Sequence, residues 1–248
     1  MHADDGATDS QRDPSLPPAL VFVHGSGDSA GCWAPIIQRL PQCACLALDL
    51  PGHGALVDRP GPSAMSVADY ADYVRHELTR RNLADVCLVG HSLGSAIALT
   101  LALEWPALVG RLVLVGAGAR LRVLPNLLAE ARTHPEATIR ALVTLGHAPG
   151  HEQMAERGLA QPRPTAPGML YRDLAACDAF DLLDDLGRIA QAALIVVGAE
   201  DRLTPPKYAR FLCQRLTNAT LVTIPDAGHY VMEEAPDALA DAIRAWLS

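Results

Sequence analysis

Gly90-His91-Ser92-Leu93-Gly94 follows an apolar run at residues 86–89 and precedes a helix-like stretch at residues 95–105, so a serine stands at a turn from strand to helix. Such a turn forces unusual backbone angles, and side chains two residues on either side of the serine would clash unless they were hydrogen atoms. The two glycines of the motif meet that requirement. The motif is weak by itself, but between a buried strand and an alanine- and leucine-rich helix it indicates that Ser92 is a nucleophile.

Short β-rich runs alternate with helical patterns along most of the chain. The β-rich runs cover residues 19–23, 45–49, 86–89, 111–115, 194–197 and 220–224. The helical patterns cover residues 34–40, 67–81, 95–105, 206–216 and 235–246. Continuous apolar strands are buried on both faces, so the alternation predicts an α/β fold with a mostly parallel, doubly wound sheet covered by helices.

One segment, residues 119–188, interrupts the alternation because it carries no β signal. Apolar residues recur there at helical spacing, which gives each predicted helix one apolar face. Four prolines stand where a proline of the first helical turn would, namely Pro125, Pro135, Pro149 and Pro167. We therefore predict a helical lid over residues 119–188, inserted into a core domain formed by residues 19–118 and 189–248.

The composition limits the class of protein. A chain of 248 residues, of which 50% are hydrophobic and 19% charged, is long enough for one large domain with a full core. Its net charge is −8 and it has no run rich in lysine or arginine, which argues against nucleic acid or an anionic membrane as a partner. The oligomeric state is left open.

Residues 1–18 are polar and rich in proline, which predicts a flexible leader. Aspartates stand where a signal peptide would need a basic start and an apolar core, and no apolar run approaches the roughly 20 residues that span a bilayer. A cytoplasmic location is therefore expected.

The six cysteines are scattered among apolar segments without a histidine cluster, so we expect reduced core thiols and no metal site.

A serine hydroxyl needs a base, usually histidine, and that histidine needs a carboxylate that fixes its tautomer. His229 is the best candidate for the base, since it follows the last predicted strand at the sheet edge where Ser92 emerges. Asp201 follows the preceding strand, and the order Ser92, Asp201, His229 is the one expected on such a sheet. Glu200 is a rival for the acid, and Asp226 is a weaker rival, more typical of a turn.

The oxyanion of the reaction needs two hydrogen-bond donors. The N–H group of Leu93 is one candidate, because Leu93 begins the helix after the nucleophile. The other should come from the loop after the first strand, where small residues let backbone N–H groups approach a ligand; we expect Ser26, with Gly27 close behind. His24 and His53 are interpreted as structural, and the glycine spacing of phosphate-binding loops is absent.

These residues resemble the α/β-hydrolase superfamily over residues 20–247. The stretches that carry the resemblance are residues 24–25, 49–54, 90–94, 198–201 and 228–229, which appear in the order of that family. The resemblance implies Ser92 as nucleophile, Asp201 as acid, His229 as base, a lid between the sixth and seventh family strands, and no cofactor. Members of the family usually have two more strands ahead of the first, and residues 1–18 have no pattern for them, so a shortened sheet of six strands is expected.

Within the superfamily, the loop at residues 24–33 looks like that of the carbon–carbon-bond hydrolases of aromatic degradation. Those enzymes usually have tryptophan where Tyr230 follows His229, and asparagine where His91 precedes the serine. Dehalogenases and epoxide hydrolases use aspartate as the nucleophile, so Ser92 argues against both classes. Cofactor-free perhydrolases share the serine triad, and a non-catalytic, hydrolase-like ligand receptor is the rival outside the enzymes.

The sequence thus predicts a carboxylic ester hydrolase that cleaves a small, apolar ester, lactone or thioester through an acyl-enzyme on Ser92. The apolar residues of the lid, among them Met154 and Leu170, predict an apolar acyl or alcohol group. The candidates for contact with substrate are Gly27, His91, Leu127, Leu142, Met169, Tyr171 and Tyr230. No chemical step is expected of His91. Three further lid residues either face the pocket or pack elsewhere, namely Arg172, Cys177 and Phe180.

Overall fold

The computed structural model describes residues 18–62, 65–161 and 163–248. Its strands are β1 (Leu20–Val23), β2 (Cys45–Leu48), β3 (Val86–His91), β4 (Val109–Val115), β5 (Ala192–Gly198) and β6 (Ala219–Ile224). They form one parallel sheet in the order β2-β1-β3-β4-β5-β6. The prediction of a six-stranded, doubly wound α/β sheet is confirmed, and each strand ends within two residues of its predicted bounds.

Ten α-helices connect and cover the strands in the described part of the chain. They are α1 (Ala34–Arg39), α2 (Val67–Arg80), α3 (Leu93–Glu104), α4 (Pro125–Thr133), α5 (Pro135–Gly146), α6 (Glu152–Ala160), α7 (Met169–Ala179), α8 (Pro206–Arg215), α9 (Val231–Glu234) and α10 (Pro236–Leu247). Helices α4 to α7 lie between β4 and β5, and we call residues 119–188 the helical insertion.

Two of the four prolines in the insertion begin helices, as predicted for α4 and α5. The expectation was wrong for Pro149 and Pro167, which lie ahead of α6 and α7. Before α7 the reason is a turn: Gly168, with φ of 79°, still separates Pro167 from the first helical residue, Met169.

The sheet separates two hydrophobic cores, because successive residues of a strand point to opposite faces. On β1, Val21 and Val23 pack with α2 and α3, whereas Leu20 and Phe22 pack with α1 and α10. Helix α3 is buried from Leu93 to Ala102, which explains why its sequence is apolar all round instead of on one face. Both faces of the sheet are therefore covered, as the continuous apolar strands predict.

Parallel pairing brings the carboxyl ends of all six strands to one edge of the sheet. The segments that leave this edge carry Ser26 after β1, Ser92 after β3, Asp201 after β5 and His229 after β6. This edge is where α/β proteins usually bind ligands. The topology thus places at one edge of the sheet the residues that the sequence analysis singles out.

The predicted leader, residues 1–18, lies outside the described residues except for Pro18. Across the described part of the chain, no helix is both long and apolar enough to cross a membrane.

Candidate active site

Ser92 lies between the last residue of β3 and the first residue of α3, with φ of 51° and ψ of −114°. L-amino acids rarely adopt this conformation, and it persists only where the surroundings enforce it. The Ser92 N–H donates to Val115 O (3.0 Å), and the Ser92 carbonyl accepts from the Ser95 N–H (2.9 Å). Helix α3 begins at Leu93, two residues earlier than predicted, so its unpaired first-turn N–H groups lie beside Ser92.

Close backbone contacts surround this turn. A Cβ atom at Gly94 would fall on the carbonyl oxygen of Val23, and one at Gly90 would fall on the carbonyl group of Gly94. Both obstacles are backbone atoms, which cannot move aside as the end of a flexible side chain can. The two glycines of the motif are thus required by the packing of α3 against β1 and β3.

Replacing Gly94 by alanine is expected to lower the free energy of unfolding by about 1–3 kcal/mol, because the added methyl group overpacks this contact. Urea denaturation followed by circular dichroism would measure the change. The matched control is Gly187→Ala, since Gly187 is exposed and a Cβ there would meet nothing within 4 Å. That variant should stay within about 0.5 kcal/mol of the wild type. Equal stability of both variants would contradict the described packing.

Asp201 and His229 form a buried pair. The Nδ1–H of His229 donates to Asp201 Oδ2 at 2.9 Å, and only 3% of each residue is exposed. Thr204 supports the same carboxylate twice, since its N–H donates to Oδ1 (2.8 Å) and its hydroxyl donates to Oδ2 (2.7 Å). The N–H of Leu203 donates to Oδ1 as well, at 2.9 Å. Four hydrogen bonds thus hold the carboxylate in one orientation.

The environment of Asp201 keeps it ionised. Burial alone would raise its pKa, but the adjacent His229 and the hydrogen bonds from Thr204 outweigh burial and lower the pKa. The two rival carboxylates do not occupy comparable positions. Glu200 is exposed, and Asp226 is an exposed turn residue with φ of 53°.

The loop that carries His229 is fixed to the helical insertion. The His229 N–H donates to Gly146 O at 2.6 Å, at the end of α5. The buried carboxylate of Glu234 accepts from the N–H groups of Gly228 (3.0 Å), Tyr230 (3.2 Å) and Ala148 (2.8 Å). The backbone on both sides of His229 is therefore held by one carboxylate that also holds the insertion.

The loop after β1 turns tightly at residues 25–28, where the Asp28 N–H donates to Gly25 O at 3.4 Å. The N–H of Gly27 points away from Ser92, because it donates to Asp173 Oδ2 on α7 (2.8 Å). Within the described residues, the N–H groups of Ser26 and Leu93 have no hydrogen-bond partner in the protein. Of the expected oxyanion donors, Ser26 and Leu93 are thus available and Gly27 is engaged elsewhere.

A cavity of about 190 Å³ opens at this edge of the sheet between the core and the insertion. Its lining residues include Ser26, Ser92 and His229, the predicted contacts His91, Leu127, Leu142 and Tyr230, and Cys177, for which the sequence analysis left both positions open. No hydrogen bond joins Ser92 Oγ to His229 among the described residues. Catalytic hydrogen bonds of this kind commonly tighten only in the complex with substrate.

Three predicted contacts lie elsewhere. Gly27 faces α7, where the Cδ1 atom of Leu170 would lie 3.0 Å from an added Cβ. Met169 is fully buried and packs against Gly52. Tyr171 packs beside α4, with the guanidinium of Arg132 5.8 Å from its ring centre. The helical period of α7 explains the positions of Met169 and Tyr171, since only the helix face with Leu174 and Cys177 is turned to the cavity.

His91 and Asp28 also line the cavity. His91 is 2% exposed, and burial together with the nearby His229 holds its pKa well below the usual range. Its Nε2–H donates to His229 O (3.1 Å), while its Nδ1 has no hydrogen-bond partner among the residues that the structure describes. Burial also raises the pKa of Asp28 to about 6, partly offset by Arg163. His91 is thus a neutral ring beside His229, with ring centres 4.6 Å apart.

Several lining residues were not predicted. They are Leu121, Arg122, Val123, Leu124, Leu145, Leu174, Arg202, Leu203, Thr204 and Tyr208. The first four follow the carboxyl end of β4, so the rule that ligands bind at this edge was the available signal. Thr204 stands three residues after Asp201, a spacing that is typical of a local side-chain turn. The sequence analysis also missed Asp173, which does not line the cavity. A lone acid between Leu170 and Leu174, on an otherwise apolar helix face, indicates a specific role for its side chain.

The sequence was compared with known families and proteins. A family model described as "Alpha/beta hydrolase family" matches residues 20–242. A pimeloyl-[acyl-carrier protein] methyl ester esterase from Pectobacterium carotovorum subsp. carotovorum is 31% identical over 245 residues, which are 92% of this chain and 93% of that protein. The protein of the same description from Nitrosomonas europaea is 27% identical over 92% of this chain and 95% of its own length.

Solved structures give a similar result. A structure described as a thermophilic esterase is 34% identical, with a TM-score of 0.76 over 93% of this chain and 89% of that one. A hydrolase from Pseudomonas aeruginosa PA01 has a TM-score of 0.84 over 96% of this chain and 92% of that one, at 24% identity, which bears on the fold alone. The two curated relatives and the thermophilic structure described above are esterases by name, in agreement with the predicted enzyme class.

Proposed function

Since this chain belongs to the α/β-hydrolase family, we propose that it is a carboxylic ester hydrolase that works through Ser92, His229 and Asp201. The observation that carries the proposal is the buried Asp201–His229 pair, 2.9 Å apart, at a cavity that Ser92 also lines. The esterase names of the relatives support an ester as substrate. One of these names specifies a pimeloyl-[acyl-carrier protein] methyl ester, which makes methyl esters of acyl chains worth testing.

In the proposed mechanism His229 is the general base. Its Nδ1–H is committed to Asp201, so Nε2 is the ring nitrogen that accepts the proton of Ser92 as Oγ attacks the ester carbonyl. The ionised Asp201 stabilises the resulting imidazolium and keeps the ring in this tautomer. His229 then returns the proton to the leaving alcohol, and an acyl-enzyme remains on Ser92. Water, activated by the same histidine, releases the acid.

The oxyanion is stabilised by the N–H groups of Leu93 and Ser26. Leu93 begins α3, so the positive end of the helix dipole adds to its effect. Gly27 is not the second donor, because its N–H is bound to Asp173. Loss of one such donor typically costs roughly 3 kcal/mol of transition-state stabilisation.

The helical insertion acts as a lid over this site and sets its specificity. Its contribution to the cavity is mainly leucine, from Leu121 at the start of the insertion to Leu174 on α7. Leu124 and Leu145 add apolar surface at the cavity, with exposed fractions of 67% and 42%. These residues favour a substrate with a small apolar acyl or alcohol group.

Purified protein is expected to hydrolyse p-nitrophenyl acetate and butyrate and to react covalently with a fluorophosphonate probe. The panel should also contain methyl esters of longer acyl chains, lactones and thioesters. Faster turnover of esters than of lactones and thioesters would agree with the proposal. If no ester is cleaved and the probe does not label the protein, the proposal is wrong.

The same panel separates the rival functions. A vinylogous diketone that is cleaved faster than any ester would indicate a carbon–carbon-bond hydrolase, and peroxide-dependent turnover would indicate a perhydrolase. A ligand that raises the melting temperature without being consumed would indicate a receptor.

A further inference from the structure

Asp173 is a carboxylate of the helical insertion with no exposed surface. Three donors surround it: the N–H of Gly27 (2.8 Å), Nε2 of His53 (3.0 Å) and the hydroxyl of Tyr70 (2.6 Å). Two of these contacts share Oδ2, and Tyr70 binds Oδ1. An isolated buried carboxylate is very costly, so a set of donors this complete indicates a fixed position.

The four residues come from four different parts of the fold. Asp173 lies on α7, Gly27 in the turn after β1, His53 in the turn after β2, and Tyr70 on α2. The carboxylate thus ties the helical insertion to the core at one point. Of the three contacts, only the one with Gly27 involves the turn that carries Ser26, the proposed oxyanion donor.

His53 is the ionisable partner of Asp173 in this cluster. Its two ring nitrogens lie 3.0 Å from acceptors, since Nδ1 faces Pro51 O and Nε2 faces Asp173 Oδ2. Burial works to lower the pKa of His53, but the hydrogen bond and charge of Asp173, helped by Asp28, raise it. The ring of His24, 5.0 Å away, stays neutral because burial and His53 lower its pKa to about 4. Both ring nitrogens of His53 thus face acceptors, an arrangement that favours the protonated ring.

Helix α7 contacts two consecutive residues of the turn at 25–28. Asp173 binds the N–H of Gly27, whose φ of 64° needs glycine. Cys177 lies one helical turn further on the same face, and its Sγ is 3.6 Å from Ser26 Oγ. Two side chains of the helical insertion therefore orient the peptide groups of this turn, which itself belongs to the core domain.

We propose that Asp173 is a positioning residue for ester hydrolysis, which holds the turn at 25–28 so that the N–H of Ser26 faces the oxyanion. This inference rests on the proposed function. By binding the Gly27 N–H, Asp173 fixes the peptide group that joins Ser26 to Gly27. In this orientation the N–H of Ser26 is directed at the cavity. Asp173 touches no substrate, so it acts only through this turn.

The test compares Asp173→Ala with Tyr70→Phe. Alanine removes both carboxylate oxygens, so the N–H of Gly27 and the ring of His53 lose the acceptor that they share. We expect kcat to fall about 10- to 100-fold, with KM within about threefold, because an oxyanion donor acts mainly in the transition state. Inactivation by a fluorophosphonate should slow by a similar factor.

Tyr70→Phe is the matched control. It removes a buried hydrogen bond from Oδ1 of the same carboxylate and leaves the contact between Oδ2 and Gly27 intact. Both variants should melt at lower temperature than the wild type. A purely structural role for the cluster would leave the kcat of the folded protein near the wild-type value in both variants. The proposal expects the loss of kcat in Asp173→Ala alone, with Tyr70→Phe within about threefold of the wild type.

The outcomes are distinct. Full kcat in folded Asp173→Ala overturns the positioning role while the ester hydrolase stands. An inactive, unlabelled wild type removes the proposed function, and this inference falls with it. If Asp173→Ala does not fold, Tyr70→Phe decides alone: a loss of kcat of tenfold or more contradicts the proposal, and retained kcat in a destabilised variant supports it.

Discussion

Ser92→Ala is expected to lower kcat by about 10⁶-fold, the loss found when the nucleophile of a serine triad is removed. Alanine is an L residue, so it adopts the same backbone conformation at φ of 51° at no greater cost. The half-buried hydroxyl is all that disappears, and the melting temperature should change little. Hydrolysis of p-nitrophenyl butyrate and covalent labelling by a fluorophosphonate would measure the loss, and labelling should vanish.

A neighbouring serine provides the control for this variant. Ser95 lies on the first turn of α3, where its hydroxyl donates to the carbonyl of Ser92 at 2.6 Å. Ser95→Ala removes one hydrogen bond worth about 1 kcal/mol, so activity should stay within about tenfold of the wild type. If Ser92→Ala keeps full activity, or if Ser95→Ala is as inactive as Ser92→Ala, Ser92 is not the nucleophile.

Asp201→Asn is expected to lower kcat by about 10⁴-fold while the protein stays folded. The carboxylate accepts four hydrogen bonds, and an amide offers one oxygen and a donor in their place. The amide oxygen can still accept from Leu203 and Thr204, in which case the NH₂ group faces His229. His229 must then accept at Nδ1 and carry its proton on Nε2, where it cannot take the proton of Ser92. Steady-state kinetics with a p-nitrophenyl ester would measure the effect.

Glu200→Gln is the matched control, since it makes the same chemical change one residue earlier. Glu200 is exposed, and its backbone N–H keeps the bond to Ala227 O (2.9 Å) whatever the side chain. Its kcat should remain within about twofold of the wild type, as expected of a surface substitution. A larger loss in Glu200→Gln than in Asp201→Asn would assign the acid to Glu200.

The sheet was predictable because its signals are local. Each strand is a short apolar run with both faces buried, and the strands and helices alternate, which leaves few topologies for a chain of this length. The placement of Ser92, Asp201 and His229 at one edge follows from parallel pairing alone. The choice between Asp201 and Glu200 depended on side-chain direction, which the turn after β5 sets through Leu203 and Thr204.

The cavity contacts were less predictable because they depend on how the insertion packs. The periodicity of α7 gives an apolar face, yet it cannot say that Leu174 meets the cavity while Met169 meets Gly52. Asp173 is the clearest case, since its partners come from three segments that lie between 103 and 146 residues away in the chain.

The bond from the His229 N–H to Gly146 O has a consequence for protein engineering. Exchanging residues 119–188 for the corresponding segment of a relative would be the obvious way to transfer substrate preference. Such a chimera would also replace the carbonyl group that orders the backbone of the proposed base. Donor segments that end α5 with the same geometry should give active hybrids, and others should give folded but slow ones. We therefore expect an exchange of this segment to change substrate specificity and reaction rate together.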